Sequence, residues 1–182
     1  MTILGIDPGS TCTGYGVVTV DGPTEMAKAV GVIRLDTDTA HTMRLKRIYD
    51  EVAALIEAHA PDVLAIEMPV YGQNPQSMLK LGRAQAAAMM AGLNHDLDVV
   101  QYTPKEVKKS VTGNGNASKQ QVRYMIHAIL DIEGAATDIA LDASDALAIA
   151  LCHTNRRSHG STEQYTGWGS FVDANPDRVE GE

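Results

Sequence analysis

The sequence has little cysteine and no long apolar run, and both shortages exclude classes of protein. Cys12 and Cys152 are far apart and belong to no CxxC pair, so neither a disulfide framework nor a structural zinc site is indicated. No stretch approaches the ~20 apolar residues of a membrane span. The first residues, MTILGIDPGST, lack the basic and apolar regions of a signal peptide. We therefore expect a cytoplasmic protein with no membrane partner.

Positive charge is also scarce overall, but one segment is an exception. Fifteen Lys and Arg against 23 Asp and Glu give a formal net charge of −8, which counts against a nucleic-acid partner. Residues 71–130, however, carry a net charge of +4. Their basic residues are Lys80, Arg83, Lys105, Lys108, Lys109, Lys119 and Arg123. Charge alone favours a solvated surface for these side chains, with a DNA-binding surface as the alternative.

The remaining composition and the hydrophobic periodicity indicate one α/β domain. A chain of 182 residues, 44% hydrophobic and 21% charged, is long enough to bury a core. Predicted strands are Thr2–Ile6, Gly14–Val20, Ala29–Leu35, Asp62–Glu67 and Val99–Tyr102. Predicted helices are Thr39–His59, Gln76–Leu93, one from Pro104 to Gly113, one capped by Asn116 or Ser118, and Ala140 to about His153. This order predicts a five-stranded mixed sheet with helices on its faces.

The C-terminal part of the chain differs in composition from the rest. We expect residues 1–155 to form the domain. Residues 156–182 are rich in Gly, Ser and Asp and are expected to be an acidic, weakly ordered tail.

Four carboxylates occupy unusual positions in this scheme. Asp7 and Glu67 each end an apolar strand, and Asp142 and Asp145 lie three residues apart on one helical face. Each has a structural alternative: Asp7 as a turn residue, Glu67 as a solvated strand end, and Asp142 as an acid near a helix N-terminus. Strand ends of an α/β sheet gather at one edge, however, and convergent carboxylates repel one another unless a divalent cation binds. All-oxygen ligands favour Mg²⁺ or Mn²⁺, and two such ions suit phosphoryl transfer.

Five segments carry a resemblance to a known family. They are ILGIDPGSTCTGYGVV (Ile3–Val18), PDVLAIE (Pro61–Glu67), SMLKLGRAQ (Ser77–Gln85), TPKEVKKSVTGNGNASKQQV (Thr103–Val122) and DASDALAIA (Asp142–Ala150). In this order they resemble the RuvC Holliday-junction resolvases, which have an RNase H-like (retroviral-integrase-like) fold. The resemblance covers most of residues 3–155.

The resemblance implies roles for particular residues. It makes Asp7, Glu67, Asp142 and Asp145 the catalytic, metal-binding acids, with two Mg²⁺ ions per subunit and Mn²⁺ as a second active metal. By the same resemblance, Lys108 and Lys119 contact DNA phosphates. Lys109 and Arg83, from the same basic segment, are further DNA-binding candidates. The family often has an aromatic wedge a few residues after the strand glutamate. Val70 occupies that place here, with Tyr71 next to it as the DNA-binding candidate.

The implied function is a crossover junction endodeoxyribonuclease, a hydrolase. It would nick four-way DNA junctions in pairs, as a homodimer acting with the branch-migration proteins RuvA and RuvB in recombination and repair. Two rival functions follow from related folds. One is a catalytically silent or RNA-processing RNase H-like relative, and the other is an ATPase of the actin-like superfamily, whose two-domain architecture needs a longer chain.

Overall fold

The structure is a computed structural model that describes residues 1–69, 74–132 and 139–158, with the side chains of residues 157 and 158 left out. The strands are β1 (Thr2–Asp7), β2 (Cys12–Asp21), β3 (Thr24–Arg34), β4 (Val63–Glu67) and β5 (Asp98–Tyr102). The helices are α1 (His41–His59), α2 (Pro75–Leu93), α3 (Pro104–Thr112), α4 (Lys119–Ile129) and α5 (Leu141–Ser158). In these residues no helix is both long and apolar enough to cross a membrane.

The five strands form one mixed sheet in the order β3-β2-β1-β4-β5. The first three strands pair antiparallel through short turns, whereas β1 pairs with β4, and β4 with β5, in parallel. Parallel pairing requires a crossover, which α1 and α2 provide. The carboxyl ends of β1, β4 and β5 therefore meet at one edge of the sheet.

Helices cover both faces of the sheet, as predicted. Successive strand residues point to opposite faces, so β1 supplies both cores: Ile3 packs on one side, and Leu4 and Ile6 on the other. The first core lies under α3, α4 and α5 and includes Val107, Ile126, Leu147 and Ile149. The second lies under α1 and α2 and includes Ile48, Val52, Ala84 and Ala88. The carboxyl-end edge lies between these two helical layers.

Helix α5 packs directly on β1 and β2 because glycines leave room for its backbone. A Cβ at Gly5 would lie 2.2 Å from the Ala146 carbonyl oxygen, and one at Gly14 would lie 1.9 Å from the Asp142 carbonyl oxygen. Gly14 is also the strand partner of Asp7. This close approach places the first turn of α5 beside the end of β1.

Two element boundaries differ from the sequence prediction by about five residues, and several others differ by one or two. β3 begins at Thr24 and not at Ala29; its first half alternates exposed and partly buried residues, which an edge strand tolerates. α5 continues to Ser158, past the predicted end at His153. Its last turns remain packed, since the Arg156 guanidinium lies 5.7 Å from the Tyr102 ring centroid. Residues 159–182 of the expected tail lie outside the described residues.

Candidate active site

Three carboxylates meet at the edge where β1 ends. Asp7 is the last residue of β1, and Asp142 and Asp145 lie in the first turns of α5. One oxygen from each of these three side chains lies within 4.8 Å of the other two. Glu67, the last residue of β4, is next to this group because β4 pairs with β1. The sequence expectation that these four acids converge matches where the structure places them.

The pKa values of Asp7 and Glu67 reflect their burial and the like charges around them. Burial, followed by the charges of Glu67, Asp145 and Asp142, raises the pKa of Asp7 from 3.8 to about 8. Burial, followed by the charge of Asp145, raises the pKa of Glu67 from 4.5 to about 7. Buried acids with raised pKa values are typical of a functional site, and a bound cation would favour the ionised forms of Asp7 and Glu67.

Lys119 supplies a positive charge to this cluster. Ser118 caps α4 in a capping box with Gln121, and this cap sets Lys119 at the first helical position. The Lys119 ammonium donates to Asp145 Oδ2 at 2.7 Å. This hydrogen bond is the main reason that the pKa of Lys119 is raised.

Lys108 lies in α3, close enough for its charge to oppose the rise in the pKa of Glu67. The helix begins at the Thr103–Glu106 capping box and ends at Gly113, whose positive φ of 76° suits glycine. The turn that follows leads the chain from α3 into α4. Lys108 and Lys119 thus reach the acids from the same helical layer.

The other DNA-binding candidates lie elsewhere. Lys109 lines a pocket with Tyr102, Cys152 and Arg156, and it is not among the charges acting on the acids. Arg83 is exposed on α2, on the opposite face of the sheet. Tyr71, together with Val70, lies outside the described residues, so the wedge stays a prediction. The DNA-binding roles of Lys109 and Arg83 also stay predictions.

Sequence reasoning missed several side chains that support the site. The Cys12 thiol hydrogen-bonds to Asp142; burial and this contact raise the pKa of Cys12 to about 11. Gln85 Nε2 donates to the Glu67 carbonyl oxygen at 3.1 Å and to Gln101 Oε1 at 3.0 Å. A polar residue among the alanines of α2 was the available signal for Gln85. No local pattern marks Cys12, because its contact depends on where α5 packs.

The donor set fits a divalent metal ion. Carboxylate oxygens are hard ligands, and the described part of the chain holds no other group of three candidate ligands. Neither cysteine nor histidine belongs to the group, which disfavours zinc. The cluster is therefore compatible with a cation of the Mg²⁺ or Mn²⁺ class.

Comparisons with known proteins identify the family. The family model "Crossover junction endodeoxyribonuclease RuvC" matches residues 3–153. A protein of that name from Salinibacter ruber is 64% identical over 179 residues, which are 98% of this chain and 99% of that relative.

Solved structures give the same result. The Thermus thermophilus RuvC structure matches with a TM-score of 0.80 and 30% identity over 88% of this chain and 97% of that one. The T. thermophilus RuvC complex with a Holliday junction substrate matches with a TM-score of 0.79 and 27% identity over the same shares, 88% and 97%. These likenesses confirm the predicted fold. The chain therefore belongs to the RuvC family of crossover junction endodeoxyribonucleases.

Proposed function

We propose that this protein is a structure-selective endonuclease that resolves Holliday junctions. It makes paired nicks by metal-dependent phosphodiester hydrolysis and leaves 5′-phosphate and 3′-hydroxyl ends that a ligase seals. It acts in homologous recombination and DNA repair, in the cytoplasm. The observation that carries the proposal is the group formed by Asp7, Asp142 and Asp145, beside Glu67, in a chain of this family. The junction substrate bound by the T. thermophilus relative supports the choice of DNA.

The four acids hold the metal. We infer two Mg²⁺ ions per subunit, with Mn²⁺ as an active substitute; such a pair activates water and stabilises the leaving oxygen. Asp7 and Glu67, whose pKa values are about 8 and about 7, lose their protons when they become ligands, so metal affinity rises with pH in this range. Lys119 neutralises Asp145 in the absence of metal. If Asp145 ligated a cation, the Lys119 ammonium would be available to a DNA phosphate.

The alternatives have less support. A catalytically silent relative needs none of the four acids, yet all are present and three lie within 4.8 Å of one another. An RNA-processing relative would keep such acids, and the Holliday junction substrate of the matched T. thermophilus complex favours DNA over RNA. An actin-like ATPase needs a second domain. The RuvC fold needs none, since this chain matches 97% of the length of each RuvC structure.

The protein acts as a homodimer, since a four-way junction with approximate two-fold symmetry needs two matched nicks. Helix α2 offers an interface: Leu79, Met90 and Leu93 are 60%, 49% and 50% exposed. With Ala86 they form one stripe at helical spacing, opposite the face that Ala84 and Ala88 bury. RuvA and RuvB are the partners that we expect from the family.

Cleavage of a labelled mobile four-way junction tests the activity. We expect cutting with Mg²⁺ or Mn²⁺, none with EDTA, and little on linear duplex of the same sequence. Asp7→Asn should abolish cleavage and keep or strengthen junction binding, because it removes a ligand and a charge that repels phosphate. Binding without any metal-dependent cleavage would favour the silent relative.

A further inference from the structure

A second group of basic side chains lies in the helical layer opposite Lys108 and Lys119. His41 and Arg44 occupy the first turn of α1, and Lys80 and Arg83 lie in the first half of α2. We call these four residues the α1–α2 basic cluster. Partial burial, followed by the charges of Arg44, Arg83 and Lys80, lowers the pKa of His41, as expected when the four side chains are near one another.

Two hydrogen bonds place this cluster at the edge that carries the acids. Arg44 Nη1 donates to the Ser10 carbonyl oxygen at 2.9 Å, and Ser10 lies in the loop that directly follows Asp7. Gln85, two residues after Arg83, donates to the carbonyl oxygen of Glu67. Arg44 is therefore held beside the loop after Asp7, and the turn of α2 that follows Arg83 is held beside Glu67.

The cluster has hydrogen-bonding capacity that the described residues leave unused. Among them, no acceptor or donor reaches the two buried ring nitrogens of His41 or the buried Nε of Arg44. The ion pairs found within the same residues include neither Lys80 nor Arg83. Buried donors without partners are costly, and adjacent cations repel one another. An anion with several acceptor oxygens would relieve both costs.

We propose that the α1–α2 basic cluster binds a backbone phosphate of the DNA strand, on the other side of the scissile bond from Lys108 and Lys119. This inference rests on the proposed nuclease function. Lys108 and Lys119 come from the α3–α5 layer, and the new cluster comes from the α1–α2 layer. The acids lie at the sheet edge between the layers, so a strand that crosses this edge meets positive charge before and after them.

Junction binding in EDTA, where no cleavage occurs, tests the phosphate site. Lys80→Ala, Arg83→Ala and the double variant are compared with Lys28→Ala, which removes one exposed positive charge from the distant edge strand β3. We expect the slope of log K against log salt to become shallower by about one for each phosphate that the variant no longer neutralises. Lys28→Ala should keep the wild-type slope. Thermal unfolding at wild-type temperature confirms that the variants fold.

Junctions with a single neutral methylphosphonate linkage locate the bound phosphate. We expect one position where this linkage weakens wild-type binding and does not weaken the Lys80→Ala, Arg83→Ala double variant. Binding by Lys108→Ala should also become insensitive to a methylphosphonate, but at a different position in the junction. A double variant with the wild-type salt slope and the wild-type linkage pattern would overturn the inference. A failure of the proposed nuclease function would look different from a failure of this inference. Wild-type protein would then bind the junction without cutting it in Mg²⁺, while the salt slopes and linkage patterns of the variants would still show the phosphate site.

Discussion

In the proposed function Asp7 is a metal ligand, and its surroundings suit that role. It lies at the end of a rigid central strand, and its neighbours in space are three further acids. Burial and like charges hold its pKa near 8 without metal. These features make the metal-free site electrostatically unfavourable, and a bound cation would relieve that cost.

The stability of the metal-free protein should therefore depend on pH. Because the pKa of Asp7 is 3.8 ordinarily and about 8 when folded, the folded state binds more protons between these values, and stability falls as pH rises. We expect urea unfolding in EDTA to give a lower free energy at pH 8 than at pH 5.5, by at most ~1.4 kcal/mol per pH unit for this group. Asp7→Asn should be less pH-dependent and more stable than wild type at pH 8. Identical pH dependence in both proteins would contradict the raised pKa.

Lys119 and Lys108 give a second test at this scale. If each contacts one phosphate, Lys119→Ala and Lys108→Ala should each lower the salt slope of junction binding by about one. The loss should be the same for junctions of different sequence, since phosphates carry no sequence information. Lys28→Ala is again the control. Unchanged slopes would assign both lysines to a solvated surface.

Sequence reasoning reached the four acids because their positions follow from strand ends and helical spacing. Asp7 and Glu67 end apolar strands, and Asp142 and Asp145 share a helix face. The roles of Lys108 and Lys119 came from the resemblance and not from charge alone. Cys12 and Arg44 could not be found this way, since their contacts join segments that lie apart in the chain.

At the scale of elements, the site depends on how closely α5 approaches the sheet. Its first turn passes over Gly14, the strand partner of Asp7. Any side chain there would push the helix outward and move Asp142 and Asp145 away from Asp7. The glycine spacing in β1 and β2 is thus part of the site's construction.

Gly14→Ala should reduce both stability and cleavage. Its Cβ would lie 1.9 Å from the Asp142 carbonyl oxygen, an overlap that requires backbone movement and costs about 1–3 kcal/mol. Gly82→Ala in α2 is the matched control: its Cβ meets no described atom within 4 Å, so stability should stay equal or rise by about 0.5–1 kcal/mol. Thermal unfolding and junction cleavage measure the two effects. A fully active, equally stable Gly14→Ala would refute the close packing of α5.

Element boundaries were harder to predict than element types. The Thr103 cap and the stop at Gly113 were visible in the sequence and mark the two ends of α3. Ser118 was one of two predicted caps for α4, and the structure selects it over Asn116. The end of α5 was not, because its last turns are held by tertiary contacts such as that between Arg156 and Tyr102. Packing there extends a helix that local sequence would end earlier.

At the scale of the whole molecule, the proposed paired nicking requires two active sites on one junction. A net charge of −8 weakens long-range attraction to DNA, so binding depends on local basic surfaces beside the acids. In this proposal, pairing of the two active sites depends on a homodimer.

Met90→Asp tests that dimer. Met90 is exposed in the single chain, so the variant should fold with a stability change within about 0.5 kcal/mol. An unpaired carboxylate at an apolar interface is costly, so we expect a folded monomer by sedimentation, with uncoupled nicks or none.

Met43→Asp is the control. It changes an exposed methionine of α1 and should stay dimeric. Ala87→Asp is less informative because Ala87 packs against the core. A dimeric Met90→Asp would exclude α2 as the interface.

Resolution of a supercoiled plasmid that extrudes a cruciform tests the central claim most directly, because one gel separates paired from single nicks. We expect wild-type protein with Mg²⁺ to give linear plasmid whose cut ends a ligase can seal, Asp7→Asn to give none, and Met90→Asp to give nicked circles or uncut plasmid. Relaxed plasmid without the cruciform should stay intact. Cleavage in EDTA, equal cutting of relaxed plasmid, or only nicked circles from wild-type protein would contradict paired, metal-dependent junction resolution.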